Sequence, residues 1–166
     1  MHRRARYVTL GVALAALASG ATGSEPRLKN ARLRSVRDNQ LLEHALRGAE
    51  RRLADARCQR VLDDFRDGAG HSLREVLDLA GRTAPQHLRE LLFYDGAPDV
   101  CEDAHLAYTA VGSRVIFVCP KLLRDRAANR LWMESSIIHE TLHSLGLAEN
   151  PPTSAEIQRS VVDRCG

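Results

Sequence analysis

Aromatic residues are scarce in this 166-residue chain, which has one Trp, three Tyr and three Phe. Proteins that hold single-stranded nucleic acid stack its bases on aromatic side chains, and this sequence offers little for that mode of binding. A basic surface is lacking as well. Three of the 24 Lys and Arg residues lie within residues 1–23, which contain no acid, and the other 21 are balanced by 21 Asp and Glu. We therefore expect no nucleic-acid partner.

Long hydrophobic runs are also lacking. The apolar run of residues 8–18 is shorter than the ~20 residues that span a bilayer. It follows a basic start (residues 2–6) and precedes small residues (18–23), which is the pattern of a secretory signal peptide over residues 1–23. An uncleaved anchor is the alternative. No cysteine lies near the cleavage region, so no lipoprotein anchor is expected. We expect a secreted or periplasmic protein that is free of the membrane after cleavage.

No internal repeat or low-complexity tract divides residues 24–166, which predicts a single domain, expected to be a monomer. Four cysteines behind a signal peptide predict two disulfides. Because no C-x-x-C pair is present, cysteine ligation of zinc is the weaker interpretation. Of the three possible pairings we favour Cys58–Cys101 and Cys119–Cys165, since the second ties the C-terminal tail to a predicted strand.

Hydrophobic periodicity and turn signals predict an α+β fold, mainly helical, with a small antiparallel β-hairpin or sheet beside a zinc-binding active-site helix. The hairpin would join strands 105–111 and 114–119 through a type II′ turn at Gly112-Ser113. Residues 94–98 are predicted to be a turn-rich connection and residues 121–129 a charged link. Besides the zinc-binding helix, helices are predicted over residues 38–57, 58–65, 72–80, 85–92 and 153–164.

A His-Glu-x-x-His motif lies near the C-terminus, with His139, Glu140 and His143. Residues 129–145 contain neither Gly nor Pro and repeat leucine and isoleucine at helical intervals, so the motif is predicted to lie on a helix that ends at Gly146. Residues four apart share one helix face, so both imidazoles can bind one Zn²⁺ ion. Glu140 would lie beside the metal and could take a proton from a metal-bound water. The competing interpretation is a helix with two surface histidines.

The stretch over residues 105–149 resembles the zincin metallopeptidases, and its spacing is similar to the extended metzincin motif. His139, Glu140, His143 and Gly146 match that motif. Two features depart from it: Glu149 stands where a third histidine is usual, and no methionine follows Met133 to form the methionine turn. The stretch from His139 through Ser154 also resembles small secreted bacterial proteins.

The resemblance implies a catalytic Glu140 and a Zn²⁺ ion held by His139, His143 and Glu149, whose carboxylate can ligate zinc. Glu156 is the alternative third ligand, as in zincins whose third ligand is a glutamate on a later helix, but it also fits a capping box with Thr153. A strand within residues 105–119 would hold an extended peptide at the sheet edge.

The function expected from this resemblance is hydrolysis of peptide bonds in a peptide or protein substrate by a secreted zinc metalloendopeptidase. Two alternatives stay open: a non-catalytic secreted helical binding or structural domain, and an amidase acting on cell-wall peptides. Tyr94, Tyr108 and His105 are candidates for stabilising the oxyanion. The other histidines are not expected to bind zinc.

Overall fold

A computed structural model of the protein describes residues 30–102, 106–125 and 129–166. Within these ranges the chain forms nine helices: α1 (Val36–Ala54), α2 (Ala56–Gln59), α3 (Val61–Asp64), α4 (Leu73–Leu79), α5 (Ala84–Glu90), α6 (Pro98–Glu102), α7 (Pro120–Asp125), α8 (Arg130–Ser144) and α9 (Ser154–Cys165). The same ranges contain four strands: β1 (Ala31–Arg32), β2 (Leu92–Asp95), β3 (Ala107–Thr109) and β4 (Val115–Val118). The predicted signal peptide and His105 lie outside the described residues.

The four strands form one mixed sheet in the order β1-β2-β4-β3. β3 and β4 pair antiparallel with Tyr108 opposite Phe117, so the predicted hairpin is confirmed. β2 pairs in parallel with β4, and β1 in parallel with β2. The α+β class is therefore confirmed, while the sheet is mixed and not purely antiparallel as predicted. Phe93, Ile116 and Val118 are the buried residues of the two central strands.

The connection between β3 and β4 differs from the predicted type II′ turn. Ser113 N donates a hydrogen bond to Ala110 O, so Val111 and Gly112 are the two central residues of the turn. Gly112 has a φ of 74°. A positive φ at the second central position belongs to a type II turn, which explains why a glycine is needed there.

Two other local predictions were wrong in part. The helix predicted over residues 85–92 ends at Glu90, and Leu92 belongs to β2, as do Tyr94 and Asp95 from the predicted turn. A strand this short is stabilised by hydrogen bonds from neighbours far away in sequence, which periodicity does not reveal. The charged link after β4 contains α7, and α6 was not predicted.

α8 runs through the centre of the molecule and packs against α1, α9 and β3. Every residue from Met133 to Ser144 is buried. The apolar residues Ile137, Ile138 and Leu142 join the main core, which also includes the inner face of α1. Because so many polar side chains of α8 are buried as well, each needs a partner or a function.

An ion-pair cluster around the buried Glu134 side chain joins α8 to α1. The Glu134 carboxylate is 2% exposed and lies 2.5 Å from Arg52 Nε and 2.6 Å from Arg130 Nε. Arg52 also donates to the Cys165 carbonyl, which connects the cluster to the end of α9. The α1 backbone approaches Glu134 at Gly48, where an added Cβ would overlap the carboxylate oxygen.

The two disulfides are Cys58–Cys165 and Cys101–Cys119. The predicted pairing is therefore wrong, because α2 packs against α9 and brings Cys58 to the tail, whereas Cys101 on α6 lies beside the end of β4. Connectivity depends on such long-range contacts and cannot be read from spacing. Two disulfides are consistent with an oxidising compartment. None of the described helices is both long and apolar enough to cross a membrane.

Candidate metal centre

The helix that carries the His-Glu-x-x-His motif is confirmed as α8. Its N-cap is Asn129, whose side chain accepts a hydrogen bond from Trp132 N. His139 and His143 lie one turn apart near its C-terminal end, with ring centroids 4.8 Å apart. Their Nε2 atoms are only 3.0 Å apart, so both rings point at one place.

The end of α8 is closed by a glycine turn that also shapes the site. Gly146 has a φ of 108°, and its N–H donates to His143 O while Leu147 N donates to Leu142 O. This pair of bonds is the Schellman motif, which requires a left-handed residue at Gly146. The turn sends the chain back toward the histidines. The Leu147 carbonyl then lies 2.8 Å from His143 Nδ1.

Two residues beyond Leu147, the Glu149 carboxylate meets both imidazoles. Its Oε1 lies 3.2 Å from His143 Nε2 and 3.8 Å from His139 Nε2. The ligand atoms of the three residues all lie within 4.8 Å of one another, forming a group that can hold a metal ion. It is the one such group of His, Cys, Asp and Glu among the residues that the structure describes.

The protonation of the two imidazoles suits a metal ion. A carbonyl only accepts hydrogen bonds, so the contact with Leu147 O puts the proton of neutral His143 on Nδ1 and leaves Nε2 with its lone pair. Burial and the neighbouring His143 lower the pKa of His139 to about 4, so that ring is neutral at pH 7. Zn–N bonds are ~2.0–2.1 Å long, so two nitrogens on one ion lie within about 4 Å of each other. The observed separation fits.

Glu140 lies in the wall of a cleft beside this group. The cleft has a volume of about 340 Å³, and His139 also lines it. Its other walls come from the start of β3, from α8 and from the first turns of α9: Leu106, Ala107, Trp132, Ser136, Ser154, Ala155 and Gln158. Glu140 is 7% exposed. Burial, and secondarily the Glu149 charge, raises its pKa to about 8.

Gln158 on α9 is a site residue that the sequence did not reveal. Its side chain lines the same cleft as His139 and donates a hydrogen bond from Nε2 to Ser135 Oγ at 2.9 Å. The sequence signal for it is weak, because a half-buried glutamine next to the buried Ile157 resembles any residue at the margin of an amphipathic helix.

Other predicted candidates lie away from this group. Glu156 completes the capping box of α9, accepting hydrogen bonds from Thr153 N and Thr153 Oγ1. The Tyr108 hydroxyl accepts a hydrogen bond from Ala97 N, and its ring stacks on Phe117. Tyr94 is in register with Phe117 on β4 and does not line the cleft. His105 lies outside the described residues.

No protein-family model matches this chain, and neither the curated proteins nor the solved structures contain a match. The functional argument therefore depends on the chemistry of the site.

Proposed function

We propose that the protein is a secreted zinc-dependent peptidase. The observation that carries this proposal is the convergence of His139 Nε2, His143 Nε2 and a Glu149 oxygen within 4.8 Å of one another. The His143 Nε2 lone pair and the Glu149 carboxylate repel each other, and a cation between them removes that repulsion. Two imidazoles and one carboxylate are a donor set used by catalytic zinc sites, which keep a fourth position open.

In this proposal each residue has a separate task. His139, His143 and Glu149 would hold the ion, which would act as a Lewis acid toward the scissile carbonyl and toward water. Glu140 takes a proton from the attacking water and donates it to the leaving amine. The raised pKa of Glu140 suits a group that both takes up and donates a proton. A nearby cation would lower this pKa again, because it favours the ionised carboxylate.

The cleft beside Glu140 is the proposed substrate site. β3 is an edge strand of the sheet, and Ala107 at its start lines this cleft. An extended peptide can add to such an edge through main-chain hydrogen bonds, which brings a peptide carbonyl alongside α8. Apart from His139 and Glu140, the residues lining the cleft carry no charge.

Export is part of the proposal. The leader-like residues 1–23 and the two disulfides both support a secreted or periplasmic location. Reducing compartments would leave these four cysteines as thiols.

The deciding experiment compares the wild type with Glu140→Gln on casein-derived peptides in the presence of zinc. Because Glu140 is the base and not a ligand, the variant should lose at least about 100-fold in kcat, the range of general-base effects, and still bind one zinc. Equal hydrolysis rates would exclude Glu140 as the base. No hydrolysis by the wild type, with zinc bound, would favour the binding or structural alternative. Cleavage of cell-wall peptides alone would favour the amidase.

The third ligand is tested by a matched pair of variants. Glu149→Gln removes the carboxylate that meets the histidines and should weaken zinc binding by at least tenfold. Glu156→Gln keeps the capping box, since glutamine serves at that position, and should bind zinc like the wild type. The reverse order of affinities would assign the third ligand to Glu156.

A further inference from the structure

A second cavity lies at the opposite end of α8 from the candidate metal centre. It has a volume of about 480 Å³ and is enclosed by the end of α1, α2, the start of α8 and the end of α9. Of the described residues, none lines both this cavity and the cleft beside Glu140. The volume is within the range of small-molecule sites. We call it the arginine cavity, because five arginines from all four helices line it: Arg51, Arg52, Arg57, Arg130 and Arg164.

The positive charge of the arginine cavity is only partly compensated. Arg164 pairs with the Asp64 carboxylate at 2.8 Å. Asp55 and Glu134 are the two acids among the described lining residues, and against the other four arginines they leave two positive charges. The α-carboxylate of Gly166, which also lines the cavity, would compensate one of these. Like charges in one cavity repel each other, and an anion between them removes that repulsion.

Several guanidinium N–H groups of the cavity have no partner among the described residues. Arg51 makes no hydrogen bond or ion pair with any of them. Arg130 uses Nε alone to bind Glu134, so both of its Nη groups remain without such a partner. A guanidinium edge with two parallel N–H groups matches the oxygens of a phosphate group and can bind it through two hydrogen bonds.

Contacts within the protein hold the cavity walls in place. The Glu134 side chain, which is 2% exposed, contacts Arg52 on α1 and Arg130 on α8. Arg52 also donates a hydrogen bond to the Cys165 carbonyl, and the Cys58–Cys165 disulfide joins α2 to α9 in the same wall. A ligand would therefore meet a site that is already ordered, which lowers the entropic cost of binding.

We propose that the arginine cavity binds a small dianion of the phosphate type, recognised by the free guanidinium N–H groups of Arg51 and Arg130. A phosphate monoester carries a charge of about −1.5 to −2 at pH 7, which matches the uncompensated charge of the walls. Free inorganic phosphate offers the same oxygens. Because the cavity shares no lining residue with the cleft beside Glu140, this site goes beyond the proposed function and does not depend on it.

The test is a titration of the protein with inorganic phosphate and, separately, with glycerol phosphate, at constant low ionic strength in a calorimeter. Metal is first removed by chelator and dialysis, so that neither anion can bind through zinc. One saturable site per chain is expected. Tighter binding of glycerol phosphate would identify the ligand as a phosphate ester, and tighter binding of inorganic phosphate would identify it as the free anion. Absence of saturable binding of both anions would overturn the proposal.

Matched variants locate the site. Arg51→Gln should weaken the binding by about tenfold, the effect of losing a hydrogen bond to a charged group, and its fold should be unaffected because Arg51 has no partner in the described protein. Arg130→Gln should weaken it by a similar factor. Arg159→Gln removes the same charge from an exposed position of α9 outside the cavity and should bind like the wild type.

Two outcomes of the variant series would contradict the proposal. An unchanged affinity in Arg51→Gln and Arg130→Gln would mean that the anion binds elsewhere. An equal loss in Arg159→Gln would mean that the anion responds only to the net charge of the protein. His143→Ala should bind the anion like the wild type, whether or not the protein binds zinc, so failure of the proposed function would leave this result intact.

Discussion

Replacing Glu140 with glutamine should make the metal-free protein more stable at neutral pH. The carboxyl is 7% exposed and its pKa in the folded protein is about 8, against an ordinary value of 4.5. Because the folded state holds this proton more tightly than the unfolded state, stability is complete below pH 4.5 and falls as the pH rises toward 8. Glutamine has a similar shape and never ionises.

The size of the effect follows from the pKa difference. In the unfolded state the carboxyl has its ordinary pKa, so pH 7 lies roughly 2.5 units above it. Each unit corresponds to about 1.36 kcal/mol, so the wild type is destabilised by about 3 kcal/mol relative to a side chain that stays neutral. Urea unfolding of both proteins in chelator, at pH 4.5, 6, 7 and 8, measures this. The two free energies of unfolding should agree at pH 4.5 and diverge with increasing pH.

A difference that does not change with pH would refute this reasoning, as would a variant less stable than the wild type at pH 7. Either result would mean that the carboxylate is already solvated or paired in the folded protein. The expected result would identify an acid that lowers the stability of the fold, which is the behaviour of residues selected for chemistry.

Three further predictions concern the scaffold. Gly48→Ala should lower the free energy of unfolding by about 1–3 kcal/mol, because its Cβ meets Glu134, whereas Gly68→Ala, with open space around it, should have little effect; both are measured by urea unfolding. Burial lowers the pKa of His87 in the folded protein, so the free energy of unfolding should decrease as the pH falls below 6.5. His87→Gln should reduce this acid sensitivity, which thermal melts at several pH values measure. Replacing the Cys58–Cys165 disulfide with alanines should cost up to about 5 kcal/mol, since it closes a loop of 107 residues, and calorimetry with no loss would contradict this.

Local signals predicted the parts of the fold that depend on neighbours in sequence. The caps at Ser72 and Thr153 and the glycine stop at Gly146 involve residues within a few positions, so the starts of α4 and α9 and the end of α8 could be predicted closely. The first turn of α5 followed from Pro85 in the same way.

Long-range pairing accounts for most of what could not be predicted. β2 is four residues long and acquires its partners from β1 and β4, which lie about 60 and 20 residues away along the chain. The disulfide partners of Cys58 and Cys119 depend in the same way on which elements pack together. Neither the strand partners nor the disulfide partners can be read from a local sequence pattern.

The same difference between local signals and long-range packing applies to the candidate site. The spacing of His139 and His143 places both on one helix face, and the glycine turn brings Glu149 back, so this group could be predicted from adjacent residues. Gln158 lines the cleft beside His139 only because α9 packs on α8. The roles of Glu140 and of the three ligand candidates stay predictions until they are tested.

Zinc stoichiometry, measured by mass spectrometry on protein dialysed against buffered zinc, tests the central claim most directly. The wild type should hold one zinc ion per chain. His143→Ala should hold less than about a tenth of that, since it removes the imidazole closest to Glu149. His71→Ala, which alters an exposed histidine outside the site, should retain the full amount. A wild type without zinc, or a His143→Ala protein that retains it, would contradict the account.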